Sequence, residues 1–397
     1  MSEWKEVRFL DVVHLNPRIS LEKGVEYPFV EMSNVVPCAR KPEKDVFKKY
    51  LGEGTKFEQG DTIVARIEPC LQNGKGFQCS YKQGFGSTEF LVFRPVNIND
   101  LDCDFLYYYM GQQSIREAMA KTMVGASGRQ RVNNKVFNDL QINLPPLQTQ
   151  HRIATILSRY DSLIENYQKQ IKLLEEAAQR LYKEWFVDLR FPGHENTNIV
   201  DGVPEGWEKK KLCEFTGITD GTHDSPKQVE IGLPLVTGRC IVDGSIDFSQ
   251  AYNISEEDVI KINKRSAVED GDILLSNIGT IGKVCRISKS GNYAVKNMII
   301  FKPHDAIHSC FLHRFLTDNN TQMDFLQQAA GTSQKFVSLS FIRNTLILRP
   351  SDTILNLFYN HSEKYFNYVQ SLQSQLRLLT EARDRLLPKL MNGEITV

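Results

Sequence analysis

The chain has no surplus of either charge: 48 Lys and Arg balance 48 Asp and Glu over 397 residues, and the formal net charge is zero. That excludes a uniformly basic nucleic-acid coat and an acidic disordered tail, while leaving room for a local basic face. No run approaches the ~18–20 uninterrupted apolar residues of a membrane span. The opening MSEWKEVRFL lacks the apolar stretch and small-residue cleavage site of a signal peptide. Cysteines spaced for a metal are missing too. Cys38, Cys70, Cys79, Cys103, Cys213, Cys240, Cys285 and Cys310 stand singly and none forms CxxC, so no zinc ribbon is expected. The thiols read as reduced, in a cytosolic protein. A composition of 41 % hydrophobic and 24 % charged residues is that of a globular chain, long enough for two or three domains.

Catalytic signatures are equally scarce. Gly279-Thr-Ile-Gly-Lys283 is too short for a P-loop and is followed by Val284, so it reads as a turn between strands. No GxGxxG follows a strand. Asn143-Leu-Pro-Pro146 has the wrong order for the [DNS]PP[YFW] tetrad that holds a flipped base in adenine methyltransferases. HExxH is absent, and His304, His308 and His313 read as surface or core histidines rather than metal ligands. No PD-(D/E)xK nuclease core is visible. Asp61 and Asp272 lie in matching Gly-Asp turns, which favours turn geometry over acid–base work. This chain is not expected to be an enzyme, and no catalytic or metal-binding residue is assigned.

What the sequence does contain is itself, twice. WKEVRFLDVV from Trp4 returns as WEKKKLCEFTGI from Trp207. QGDTIVARI (59–67) returns as DGDILLSNI (270–278), and LVFRP (91–95) as IIFKP (299–303). VGASGRQRV (124–132) pairs with AGTSQKFV (330–337), and IKLLEEAAQRL (171–181) with LRLLTEARDRL (376–386). The offset is 203 residues at the start and 205 at the end. The order is a domain and a connector, repeated.

Each repeated domain reads as mixed β structure with some helix. Short apolar runs such as Thr62–Ile67 and Asp272–Ser276 suit strands. Turn signals separate them: Asn73-Gly74, Gln83-Gly84, Asp201-Gly202, Asp220-Gly221, Asp243-Gly244 and Gly291-Asn292. Helix is expected over Asp104–Lys121 and His308–Ala329.

The connectors carry a different period. Leu157, Tyr160, Ile164, Tyr167, Ile171, Leu174, Ala178, Leu181 and Trp185 step by three and four, as in a coiled-coil seam. The second copy runs Tyr365, Val369, Leu372, Leu376, Leu379, Arg383, Leu386, Leu390, interrupted once at Arg383. Pro145-Pro146 and Pro350 mark where the chain enters the helices, and Pro388 is expected to end or kink the second. The alternative is two ordinary amphipathic helices on separate cores. A helix of roughly 30 residues is ~45 Å long, and one turn of B-DNA is ~34–36 Å. An antiparallel pair could therefore hold two similar readers at a fixed spacing, related by a pseudo-two-fold axis.

These residues resemble the specificity subunit of type I restriction–modification systems. The likeness is carried by Asn143-Leu-Pro-Pro-Leu-Gln-Thr-Gln150 and by the helical tract Leu173–Asp188. It is carried also by Gly206-Trp207, Thr219-Asp-Gly-Thr-His-Asp-Ser-Pro226 and Leu386–Glu394, and it covers essentially the whole chain. The resemblance implies an α+β architecture: two tandem mixed α/β target-recognition domains, joined by two long helices in an antiparallel coiled coil. The boundaries expected are 1–146 for the first recognition domain, 147–190 for the first helix, 191–350 for a linker and the second domain, and 351–397 for the second helix. It further implies that each domain reads one half of a split asymmetric site on double-stranded DNA. The helices would set the spacer and dock two methyltransferase subunits, which use S-adenosylmethionine to methylate adenine. Translocase–nuclease subunits using ATP and Mg would join for restriction. The chain itself would bind no cofactor. The competing reading is a coiled-coil scaffold that binds proteins only; a fused methyltransferase–nuclease is disfavoured by the missing motifs.

The DNA surface is sought where basic residues gather without acids. No acid lies between Glu117 and Asp139, which holds Lys121, Arg129, Arg131 and Lys135, or between Asp324 and Asp352, which holds Lys335, Arg343 and Arg349. Both tracts carry a polar loop, so Ser127, Arg129, Gln130 and Arg131 in one copy and Ser333, Gln334 and Lys335 in the other are candidate contacts. Lys75 in the Leu71–Gly76 loop, its counterparts Asn277 and Lys283, and His223, Lys227 and Arg239 complete the set. A solvated loop is the alternative for each. On the helices, Ile156, Leu163, Tyr182, Phe186, Phe366, Tyr368 and Leu387 lie off the seam, as do Leu173 and Leu378, and suggest a face for a partner protein. Contact with the adjacent domains is the other use of such residues.

Overall fold

The computed structural model describes residues 4–126, 130–329 and 335–397. They form two units, one of residues 1–168 with 375–397 and one of 169–374.

The first unit is built on a four-stranded antiparallel sheet ordered Val13–Leu15, Phe90–Pro95, Thr62–Ala65, Gly76–Gln78. Its central strands are apolar at every position but Thr62 and Arg94, because both faces are covered. Val64, Leu91 and Phe93 face the helices Cys103–Gly111 and Gln113–Ala120, in a core with Phe9, Phe105 and Phe137. Ile63, Phe90 and Val92 face the other way, toward Phe57 and Phe77. Successive side chains of a strand point to opposite faces, and here each face has its own core. A second sheet, Phe47–Lys49, Glu26–Val30, Gln83–Gly86, Thr55–Glu58, contains a parallel pair between Glu26–Val30 and Gln83–Gly86. A short pairing of Lys5–Arg8 with Gln141–Leu144 closes the domain.

The second unit repeats this order. Its main sheet runs Gly217–Asp220, Met298–Lys302, Ile273–Ser276, Val284–Arg286, again antiparallel throughout. Ile273, Leu275, Ile299 and Phe301 pack with the helical layer, while Leu274, Met298 and Ile300 pack on the opposite side. Leu233–Val236 pairs in parallel with Ala294–Val295, and Glu208–Lys211 pairs with Leu346–Arg349. The repeat seen in the sequence is therefore a repeat of the main sheet's topology and register, while the second sheet has four strands in the first unit and three in the second.

Two expected helices are each broken. The first unit's stretch divides at Gln112 and the second unit's at Asp318, giving Ala306–Thr317 and Asn319–Gln327. Asp318 turns extended and its carboxylate accepts from the Asn320 amide, capping the second piece. Gln83-Gly84, expected as a turn, lies within a strand paired with Thr55–Glu58, where the glycine is needed because a Cβ would come within 2.6 Å of the Phe57 ring. Asp220 likewise ends a strand rather than forming a turn centre.

The long helices span Leu147–Tyr182 and Asp352–Met391. The first is followed by a π-helical turn, Lys183–Val187, that buries Trp185 and Phe186. In the first unit the helices run antiparallel: Ile153 and Leu157 share a core with Leu390, and Asp161 meets Arg383. In the second unit Tyr182 and Trp185 pack on Phe358, at 6.2 and 5.9 Å between ring centroids. Pro388 does not end the second helix, which continues to Met391. Burial of Leu390 and Met391 in the first unit's core anchors the last turn and offsets the amide hydrogen bond that proline removes. No helix among the described residues is long and apolar enough to cross a membrane.

Candidate nucleic-acid interface

The strand Thr62–Ala65 runs directly into the loop that carries Lys75, and Ile273–Ser276 into the loop that carries Lys283. In each unit that loop is zipped to the basic tract that follows the helices. In the first, the Glu68 amide donates to the Gln130 carbonyl at 3.3 Å and the Val132 amide to the Arg66 carbonyl at 2.9 Å. In the second, the Gly279 amide donates to the Lys335 carbonyl at 3.0 Å and the Val337 amide to the Asn277 carbonyl at 2.9 Å. Two loops chosen separately in the sequence thus form one composite edge, and they do so twice. The turns within the loops match as well. Gly74 and Gly282 take φ of +72° and +92°, and a Cβ there would stand 1.9 Å from the Arg116 guanidinium or 2.1 Å from the Gln322 amide.

Within this edge the cations play different parts. Lys75 Nζ donates to the Met32 carbonyl at 2.8 Å, and Lys283 Nζ to the Ile241 carbonyl at 2.7 Å. These equivalent lysines act as struts that pin a neighbouring turn, which commits part of each ammonium's donor capacity within the fold. Arg131 forks onto Glu89, with Nη2 to Oε1 at 2.5 Å, and Arg66 approaches the same carboxylate at 4.0 Å. Arg131 holds the Glu89 carboxyl below its ordinary value, against the opposing effect of burial. Asn277 donates to the Val337 carbonyl at 3.0 Å, so its amide is partly spent inside the fold. His223 sits between Asp220 Oδ2 at 2.7 Å and Asn297 Oδ1 at 3.0 Å, both acceptors, and orders the Thr219–Pro226 tract. Lys227, Arg239 and Lys335 are exposed, and their side chains make no hydrogen bond or ion pair among the described residues. Gln130 is half-buried at the edge, with its side chain likewise uncommitted among them. Ser127, Arg129, Ser333 and Gln334 lie outside the described residues.

Behind the edge, each main sheet is locked by a buried carboxylate. Asp61 accepts from the Glu58 amide at 2.8 Å and from Arg94 at 2.6 and 2.8 Å. Asp272 accepts from the Glu269 amide at 2.8 Å and from Lys302 at 2.7 Å. Burial raises the Asp272 carboxyl despite Lys302. These carboxylates hold turns to strands. Sequence reasoning passed over Arg66, Glu89, Arg265 and Lys296. Arg265 reaches the Gly221 carbonyl at 3.1 Å, and Lys296 reaches Ser225 at 2.6 Å. For Arg66 the signal was present: it follows its strand where Asn277 follows the equivalent one.

On the helices, Tyr182, Phe186 and Phe366 are buried in the second unit's core, which corrects their assignment to a docking face. Tyr182 and Phe186 pack on Phe311 and Phe358. Phe366 lies under the Arg286 guanidinium at 4.5 Å. Ile156 and Leu387 are half-buried against the first unit's core. Leu163, Leu173, Tyr368 and Leu378 are exposed. They fall into two repeat-equivalent pairs, Leu163 with Tyr368 and Leu173 with Leu378, each 205 residues apart.

The described residues thus show a duplicated α+β domain with long helices and, in each copy, a composite edge that carries basic residues. Residues 1–176 match the family of the type I restriction modification DNA specificity domain. The MjaIX specificity subunit of a type I restriction enzyme from Methanocaldococcus jannaschii is 28 % identical, across 74 % of this chain and 69 % of its own. The HindI specificity subunit from Haemophilus influenzae is 24 % identical across 100 % of both chains. The fold is shared with the S subunit of a type I restriction–modification system from M. genitalium, with a TM-score of 0.58 at 16 % identity over 98 % of this chain and 96 % of that one. The chain is similar, in sequence and in fold, to specificity subunits of type I restriction–modification systems. Those relatives are named as specificity subunits of restriction enzymes, and the matching family model is that of a DNA specificity domain.

Proposed function

We propose that each composite edge reads one half of a bipartite, asymmetric DNA site. The observation that carries this is the duplicated zip of the strand-following loop to the basic tract, Arg66–Lys75 with Gln130–Val132 and Asn277–Lys283 with Lys335–Val337. A shared scaffold carries different side chains at matching places, as two readers of unlike sequences require. Gln130 and Arg131 serve the first half-site; Lys335, Arg239 and Lys227 serve the second, the lysines as phosphate contacts and Gln130 toward base edges. The helices set the spacer between the half-sites and dock two methyltransferase subunits through the equivalent exposed pairs Leu163/Tyr368 and Leu173/Leu378. Two similar faces suit two copies of one partner. The methyltransferases use S-adenosylmethionine on adenine, and ATP- and Mg-dependent translocase–nuclease subunits add restriction. The complex works in the cytoplasm. The test is the methylated motif. Gln130→Ala should change preference in one half only, and Arg239→Ala or Lys335→Ala should weaken binding in the other. Unchanged affinity and motif in all three variants would overturn the assignment.

A further inference from the structure

The two units solve one packing problem differently. In the first, the buried Tyr108 hydroxyl donates to Asp161, and Asp161 pairs with Arg383 at 2.9 Å. Aligning FLYYYMGQ (105–112) with FLHRFLTD (311–318) sets Tyr108 against Arg314, and the helix repeat sets Asp161 against Phe366 and Arg383 against Ala178. The second unit thus carries a guanidinium at this place but has lost the carboxylate. Arg314 is only 5 % exposed, and its guanidinium makes no hydrogen bond or ion pair among the described residues. It lines a cavity of about 420 Å³ together with Gln179, His313, Phe366 and Gln373, and the acids Glu175, Glu176 and Asp243 stand on the same wall.

The other lining groups are mostly committed. Gln179 donates to Asp318 at 3.2 Å, and Gln373 donates to the Asp243 carbonyl at 2.7 Å. Burial, with Arg314 and Arg286 nearby, keeps the His313 ring neutral, so one of its nitrogens can donate. Burial pulls down the Arg314 pKa, and the charges of Cys310, of Glu175 on the same cavity wall and of Glu363 only partly oppose this. An unpaired buried cation is costly. A forked guanidinium is best satisfied by a carboxylate, through two parallel hydrogen bonds.

We infer that this cavity binds a small carboxylate, held on Arg314, that replaces the internal carboxylate Asp161 supplies in the first unit. The carboxylate can come from a free organic acid or from an acidic side chain of an associated subunit. The inference does not rest on DNA reading, and its test needs no DNA.

The test is calorimetric titration of the full chain with acetate, succinate and citrate in chloride buffer, with inorganic phosphate as comparison, alongside melting curves. One site per chain is expected, with a raised Tm. Arg314→Gln should weaken binding tenfold or more, and Phe366→Asp, which restores an internal carboxylate, should abolish it. Glu175→Gln should tighten binding by removing a like charge. If free acids do not bind but Arg314→Gln weakens the complex with the methyltransferase subunit, the carboxylate belongs to that subunit. No binding, together with an unaffected complex, overturns the inference. So does a Tm for Glu175→Gln as low as that for Arg314→Gln, because Glu175 would then be the counter-ion.

Discussion

Arg383 donates to Asp161 at 2.9 Å inside the first unit, at the one place where a charge interrupts the apolar seam of the second long helix. Both side chains are nearly buried, at 11 % and 7 % exposure, and the Tyr108 hydroxyl adds a second donor to the same carboxylate. Burial alone would lower the Arg383 pKa, but Asp161 and Asp384 hold it above its ordinary value. The seam is broken here by a complete polar network. Removing one member of a buried pair leaves the other uncompensated, at a cost of roughly 3–5 kcal/mol. Arg383→Met and Asp161→Asn should each lower urea stability by about that much. The double change Asp161→Phe with Arg383→Ala, which copies the second unit, should recover a substantial part of the loss. Equal and additive losses would show that the pair is not coupled.

The struts and the exposed cations should separate in solution. Lys75→Met and Lys283→Met each remove a charged donor from a carbonyl, worth about 1.5–3 kcal/mol. They should lower the Tm while leaving the salt dependence of DNA binding almost unchanged. Lys335→Ala or Lys227→Ala should leave the Tm unchanged and reduce the salt slope by about 1. Titrations at several salt concentrations check this, and the reverse pattern would exchange the two roles.

Glu89 restrains Arg131. Glu89→Gln should release the guanidinium and remove a negative charge from the edge proposed to read DNA, strengthening DNA binding and steepening its salt dependence by about one charge. The pair also has a pH signature. The folded Glu89 carboxyl titrates below its ordinary value because of Arg131. Its contribution is therefore complete above about pH 4.5 and disappears as pH falls through the lower folded value. Weaker binding by Glu89→Gln would show that Arg131 works only in its paired form.

His313 gives stability a second pH dependence. Burial holds its pKa well below the ordinary value in the folded chain, with Arg314 and Arg286 adding to the effect. The unfolded chain therefore binds the extra proton first. Stability should fall as pH drops below about 6.5, by up to ~1.4 kcal/mol per pH unit, until the folded ring also protonates. His313→Gln should flatten the curve between pH 7 and 5.5. A wild-type curve already flat in that range would place His313 in contact with water.

Much of this architecture was legible because it is written twice. The pairs QGDTIVARI/DGDILLSNI and LVFRP/IIFKP became the central strands of equivalent sheets. The heptad seam became two long helices. What stayed hidden was the direction of individual side chains. Lys75 and Lys283 look like loop cations, and only the fold shows that a carbonyl lies within reach of each ammonium. Tyr182, Phe186 and Phe366 lie off the seam by count, yet the adjoining domain packs on that side of the helices and buries them. Gln112 and Asp318 break helices that periodicity alone would continue. The zip between distant loops depends on backbone hydrogen bonds, which no residue pattern encodes.

The docking proposal rests on exposed apolar positions at equivalent places. Leu163→Glu with Tyr368→Glu should weaken association with the methyltransferase subunit at least tenfold and leave the melting curve unchanged. Each single change should cost one of two binding events, read as a change of stoichiometry in light scattering. Full association by the double variant would move the docking surface elsewhere.

The most direct test of the central claim is to co-express the chain with its methyltransferase subunit and sequence the methylated adenines in host DNA. Residues 1–145 are then replaced by the same segment of a related specificity subunit. The account predicts one split motif that changes in a single half and keeps its spacer. A change in both halves, or a motif untouched by the exchange, would contradict it.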